Sequence, residues 1–352
     1  MKPSYIDSPI SRRDFLKGSV LGILGMTALN IPYRFSNKRC LRNAQDQVEM
    51  GRVLKSSITI HSSPRFSSTV LRTEPINSVF SIEYTVEGES DAAGNQIWYQ
   101  LQDGGCLHSS GVQPVENITN SVVTDFNRNG VLAQVTVPFT QAWKGQVANE
   151  QANLIYYYGS NHWVVGLGKD KKGDTYYKIK DDRSGYVYYV LANHVHIFDE
   201  DELLPILSTD EQKEKSIEVR LKDQTIVAFE GSQPVFFSTM SSGLKDDARD
   251  YSTPPGEYRI NIKLPSRHMK HAQPAEDEDR DLFGVPWVSN FTNNGIAFHG
   301  TYWHNDFGRP RSHGCVNLPI PAARWIYLWS LPVVPPLSKT FYSTKGTRVT
   351  VI

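Results

Sequence analysis

Ser312-His313-Gly314-Cys315-Val316-Asn317 sets a cysteine just after a glycine and at the head of a short apolar step. Upstream, Ile296-Ala297-Phe298-His299-Gly300-Thr301 ends an apolar run on a histidine. The thiolate is the working form of a nucleophilic cysteine, and an unperturbed thiol has a pKa of ~8.5, so a nearby imidazole is its usual activator. Two imidazoles are available: His313, two residues before the cysteine, and His299, sixteen residues before it. The longer interval leaves room for a strand, a loop and a return. Gly300 allows close backbone approach beside His299. Gly314 permits a strained turn, so that backbone N–H groups of His313, Gly314 and Cys315 can converge on one oxyanion. His299, His304, His313 and Cys315 also offer metal-ligand types, but their spacing matches no common zinc template. The expectation is a nucleophile with no metal and no cofactor.

Around this motif the chain reads as mostly β. Ile217, Val219 and Leu221 alternate with Glu218, Arg220 and Lys222, the period of a half-buried strand. Thr225–Glu230, Gly231-Ser232 and Pro234–Thr239 read as a hairpin. Pro321–Trp329 reads as a helix, with proline in its first turn. Residues 199–215 are rich in charge and read as an inter-domain connection. Two sets of short strands precede it, at 51–116 and 130–198, separated by turn residues in the manner of small barrels. Ile97-Trp98-Tyr99-Gln100-Leu101 and Thr175-Tyr176-Tyr177-Lys178-Ile179 share a pattern, which suggests a diverged repeat. The tyrosine-rich strands of the second set either fill a core or offer ring faces for stacking on sugars.

The 352 residues are enough for two or three domains. Lys and Arg together number 37, as do Asp and Glu, so no global field draws in nucleic acid or an anionic membrane. Residues 1–30 read as a signal and 31–50 as a polar linker. Ser11-Arg12-Arg13-Asp14-Phe15-Leu16-Lys17 resembles a twin-arginine export signal, followed by a weakly apolar run from Gly18 to Leu29. A membrane span needs ~20 apolar residues, so this run fits a signal core better, and any membrane contact would come through an uncleaved signal. The expected location is outside the cytoplasm, in the wall or periplasm. There an odd cysteine deserves notice. Cys40 and Cys106 can pair, which leaves Cys315 free.

His299-Gly300 followed by Ser312-His313-Gly314-Cys315-Val316-Asn317 resembles the signature of the L,D-transpeptidase catalytic domain (YkuD-type), over residues 215–352. Thr253-Pro254-Pro255-Gly256 is similar to that family's Thr-Pro-x-Gly turn. The run Gly300–Gly308 resembles a subgroup with preceding bacterial SH3-like domains. The resemblance implies a mostly β fold, with two SH3-like barrels before a β-rich catalytic domain. It implies two-step acyl transfer on peptidoglycan stem peptides, with glycan strands as a further partner. In those terms Cys315 attacks the carbonyl of the third stem residue, His299 accepts and returns the proton, and the Gly300 carbonyl orients His299. His313, Gly314 and Cys315 supply the oxyanion hole. Asn317 stands where many relatives have arginine, so Arg309 or Arg311 is the candidate for holding a stem carboxylate. Ser312, Tyr302, Trp303 and His268 complete the candidate substrate contacts. A carboxypeptidase, a protein-anchoring enzyme and an inert wall-binding protein remain alternatives, since only the acyl acceptor or the activity itself distinguishes them.

Overall fold

A computed structural model describes residues 49–127, 129–144, 154–208, 213–245, 250–270 and 281–352. The signal, Cys40 and all but the last two residues of the linker lie outside the described residues. Strand predominates and helix is scarce. The chain divides into two compact units. Residues 59–73 and 81–109 belong to one; residues 49–58, 74–80 and 110–352 belong to the other.

The first unit is antiparallel, with His61 opposite Cys106 and Ile82–Glu87 running against Ile97–Leu101. Its centre is Trp98, fully buried, whose indole N–H donates to the Glu89 carbonyl at 2.8 Å. The rings of His61, Phe66 and His108 pack around it at 4.8–5.7 Å. Cys106 is a free, buried thiol donating to Gln100 Oε1 at 3.0 Å.

In the second unit, Glu49–Val53 pairs antiparallel with Val112–Val115, so the last residues of the expected linker already belong to a strand. A sheet formed by Val131–Val135, Phe139–Lys144, Leu154–Tyr157, Asn161–Lys169, Thr175–Lys180, Val187–Leu191 and Val195–Ile197 follows. Tyr156, Tyr177 and Tyr188 are in its core, so the packing reading of these tyrosines holds.

The catalytic-motif region consists of two five-stranded sheets. Its strands are β1 (Lys215–Arg220), β2 (Thr225–Glu230), β3 (Gln233–Thr239), β4 (Gly256–Arg259), β5 (Ile262–Met269), β6 (Leu282–Asn290), β7 (Ala297–Gly300), β8 (Val316–Leu318), β9 (Phe341–Tyr342) and β10 (Arg348–Val351). One sheet has the order β3-β2-β1-β10-β4, and the other β8-β7-β6-β5-β9. Pairing is antiparallel except for β1 with β10 and β7 with β8. Ile217 and Val219 of β1 turn into the core, as their alternation requires. Helix α1 (Ile320–Trp329) starts with Pro321 in its first turn and buries Ala322, Ala323, Ile326, Tyr327 and Trp329.

Residues 199–215 are more than a connection. Glu200–Leu203 form a short 3-10 turn, and Leu203 enters the same core as Leu132, Trp163, Phe198, Ile217 and Ile326. Glu202 accepts from the Asp199 backbone N–H at 3.0 Å, and its own carbonyl accepts from Arg324 of α1 at 2.8 Å. Glu200 and Asp201 stay exposed, while Leu203 is buried and Ile206 packs, partly buried, against the same core. Burying a leucine stabilises by ~1.5–3 kcal/mol, enough to hold a short turn in place.

Candidate active site

The parallel pair β7–β8 builds the site. Its register sets Phe298 opposite Val316, His299 opposite Asn317 and Gly300 opposite Leu318. Side chains alternate along a strand, so the two strands sort their residues onto two faces. Phe298, Val316 and Leu318 enter the core beneath α1. Ala297, His299, Cys315 and Asn317 fall on the other face. There Ala297, Cys315 and Trp303 pack with Val285 and Val288. The histidine of β7 and the cysteine just before β8 thus fall on one face.

The other side of this pair explains Gly300. A Cβ there would lie 2.8 Å from Pro286 Cγ and 3.2 Å from Ile320 Cγ1, so any larger residue displaces either β6 or the start of α1.

His299 is buried, and its Nδ1 lies 3.2 Å from the Gly300 carbonyl. A carbonyl only accepts, so Nδ1 carries the proton and Nε2 is left as the basic nitrogen. Burial holds the His299 pKa down at about 4, with the Gly300 hydrogen bond acting in the opposite direction. Burial pushes the Cys315 thiol up, against a backbone hydrogen bond from Ala297. Both shifts favour a neutral imidazole beside a neutral thiol. His313 is exposed, and its ring rests on Tyr251 at 4.4 Å.

The turn before Cys315 is fixed by two hydroxyls. Ser312 Oγ donates to the Cys315 carbonyl and accepts from the Gly314 N–H at 3.1 Å. Thr253 Oγ1 donates to the Gly314 carbonyl at 2.8 Å and accepts from the Gly243 N–H at 2.9 Å. Gly314 has φ of +114°, outside the range comfortable for a side chain, although a Cβ would meet nothing nearer than 3.6 Å. The constraint is conformational rather than one of space. Sequence reasoning singled out Thr253 only as part of a turn. Its tie to Gly314 spans 61 residues and carries no local signal. Thr253→Val keeps the shape but leaves a buried N–H and a buried C=O without partners. It is expected to destabilise by at least about 2 kcal/mol in urea unfolding; a change within error would show that Thr253 does not hold the turn.

The candidate substrate residues divide into two groups. Tyr302 is 3% exposed, and its hydroxyl donates to the Phe283 carbonyl at 2.7 Å. His268 is equally buried, with Nδ1 2.9 Å from Asp181 Oδ2 and its ring against Phe283. Tyr302, His268 through Nδ1, and Ser312 thus each make a hydrogen bond inside the protein. Trp303 is half-buried and packs on the His299 ring at 5.6 Å. Asn317 is buried, 2.8 Å from His304 Nε2. Arg309 and Arg311 converge on buried Asp306, Arg309 through a direct hydrogen bond and Arg311 at 3.5 Å, while both guanidiniums keep a solvent-facing side. Asp306 is a residue that sequence reading passed over. Burial together with Arg311, His299 and Arg309 holds the His304 pKa down at about 3, so His304 is a neutral hydrogen-bonding group between Asn317 and the Asp306 backbone. Among the described residues, no group of three His, Cys, Asp or Glu side chains is placed to hold a metal ion.

Comparison with known proteins agrees with the motif. The family model of the L,D-transpeptidase catalytic domain, YkuD, matches residues 214–351. The "Putative L,D-transpeptidase YciB" of Bacillus subtilis (strain 168) is 30% identical over 126 residues, covering 33% of this chain and 61% of that protein. The chain thus spans about six-tenths of the length of this relative. Among solved structures, the L,D-transpeptidase (Yku) from Stackebrandtia nassauensis is 23% identical. It covers 41% of this chain and 58% of its own, with a TM-score of 0.28. L,D-transpeptidase 3 from Mycobacterium tuberculosis is 19% identical, covers 52% and 81%, and has a TM-score of 0.32. By sequence, residues 214–351 are thus similar to the L,D-transpeptidase catalytic domain of the YkuD family.

Proposed function

We propose that the chain is a cysteine acyltransferase acting on peptidoglycan stem peptides. The observation that carries this reading is the shared face of β7 and β8, where His299, with its proton held on Nδ1 by the Gly300 carbonyl, stands in register with the strand that follows Cys315. In the first step His299 Nε2 takes the thiol proton and the sulfur attacks the carbonyl of the third stem residue. A C–S bond forms, the C–N bond to the terminal D-amino acid breaks, and the imidazolium returns its proton to the leaving amine. In the second step an amine of another stem attacks the thioester: a C–N bond forms, the C–S bond breaks, and His299 takes the amine's proton and returns it to the departing sulfur of Cys315. Water as acceptor gives a carboxypeptidase, and a protein amine gives anchoring. The Gly314 N–H is directed to Ser312 Oγ, so oxyanion stabilisation falls to the backbone N–H groups of His313 and Cys315. Arg309 and Arg311 supply the cationic contacts for a stem carboxylate in place of an arginine at 317. Mass spectrometry of the protein mixed with a tetrapeptide stem should show an adduct on Cys315 equal to the stem minus its last residue. An unmodified protein under conditions that acylate other cysteine transpeptidases would sink the reading.

The sheets before the catalytic domain fit SH3-like modules that hold glycan, and the paired arginines fit export of a folded protein. Lysine at both Arg12 and Arg13 is expected to retain the protein in the cytoplasmic fraction, because the pair and not its charge is read. Undiminished export of that variant would point to another route.

A further inference from the structure

We propose that Arg52, on the strand that opens the described chain, is a positioning residue for the thiol–imidazole pair, acting through the loop Thr301–His304. The inference rests on the acyl-transfer reading of that pair. Arg52 is 2% exposed. Its Nη2 donates to the Tyr302 carbonyl at 2.8 Å and to Gln113 Oε1 at 2.7 Å, its Nε also donates to Gln113 Oε1, and its Nη1 donates to Asn77 Oδ1 at 2.8 Å. The guanidinium lies over the ring of Tyr157, 4.2 Å from its centroid. Every one of these partners is neutral. Burying a cation without a carboxylate is costly, and a hydrophobic side chain of similar volume would usually serve a scaffold better. The burden shows in its pKa, pushed down by burial to about 10.

What the cation obtains is a grip on one backbone carbonyl 250 residues away. That carbonyl belongs to the loop directly after His299-Gly300. The Tyr302 ring packs on Tyr157 at 5.7 Å and edge-on against Trp303 at 5.0 Å. Trp303 in turn covers the His299 ring and packs with the apolar cluster that holds Cys315. The path from Arg52 to the reacting atoms is therefore one hydrogen bond and two ring contacts. A loop cut loose at Tyr302 lets Trp303 lift, which wets His299 and uncovers the sulfur. Reacting groups displaced by ~1 Å can lose about 100-fold in rate.

The test compares Arg52→Met, Arg52→Lys and wild type in the full chain. Two readouts are taken: release of the terminal residue from a tetrapeptide stem, and alkylation of Cys315 by iodoacetamide. For Arg52→Met we expect kcat to fall by about tenfold or more with KM within about twofold. Alkylation should move the opposite way, several-fold faster, because the sulfur is uncovered. Arg52→Lys, which can still reach one carbonyl, should recover most of both. If Arg52→Met does not fold, Gln113→Ala frees the guanidinium fork more gently and should shift both readouts in the same directions. A folded Arg52→Met or Gln113→Ala with wild-type kcat and wild-type alkylation overturns the inference, as does a lysine variant no better than methionine. Should wild type fail to release the residue at all, the acyl-transfer reading falls, and the alkylation comparison still decides whether Arg52 holds the loop.

Discussion

Cys315→Ala is expected to abolish release of the terminal D-amino acid while leaving the fold intact. Cys315 is half-buried at the margin of the apolar cluster of Val285, Val288 and Ala297. Its Sγ makes one backbone contact, with Ala297. Losing a sulfur there costs about 1 kcal/mol, since little apolar area leaves the interior. The chemistry has no substitute. Cys106, the other free thiol among the described residues, is buried in the first unit and donates to Gln100. Cys315→Ser is expected to fare almost as badly, because a hydroxyl needs a stronger base than an imidazole whose pKa is near 4. The measurement is D-amino acid release from a tetrapeptide stem, with thermal unfolding as the control. Activity within a few-fold of wild type would end the assignment of Cys315.

The motif was legible because its residue types are rare together and their spacing is short. Placing it on paired strands was not, since β7 and β8 are four and three residues long and their parallel register depends on the loop between them. The hairpin β2–β3 and the alternation in β1 could be read directly, because both are local patterns of period two. The partner of β1 could not: β10 lies at the far end of the domain, and nothing in Arg348–Val351 names Ser216–Val219 as its neighbour. The same limit hid the three side chains that organise the site from a distance. Thr253, Asp306 and Arg52 are ordinary in sequence, and each takes its meaning from a contact that only the fold creates. The internal partners of Tyr302 and His268 were equally hidden, because the Phe283 carbonyl and the Asp181 carboxylate that they engage lie 19 and 87 residues away. The packing of the charged run at 199–215 was hidden for a related reason: Leu203 and Ile206, which meet the core, stand among charged neighbours.

His299→Ala is expected to lower kcat/KM by ~10²–10⁴-fold, the range of a positioned acid–base group. His304→Ala should cost far less, since His304 bonds to Asn317 and the Asp306 backbone rather than facing a reacting atom. His313→Ala should also be mild, because its ring is exposed against Tyr251. The pH dependence separates this arrangement from a standing thiolate–imidazolium pair. With the thiol raised and the imidazole held near 4, both groups are neutral at pH 7. Alkylation of wild-type Cys315 should then be slow at pH 7 and rise about tenfold per pH unit up to the thiol's raised pKa. A preformed ion pair would instead alkylate at a constant rate from pH 5 upward. The sign for folding follows from the same shift. The folded state holds His299 neutral, and the unfolded chain protonates it near 6.5. Folding stability from this residue is therefore complete above the unfolded value and declines as pH falls from there toward 4. His299→Ala should flatten that part of the stability profile. If alkylation is flat with pH and the stability profile is unchanged by His299→Ala, the resting site is an ion pair, and the proton has already moved before substrate arrives.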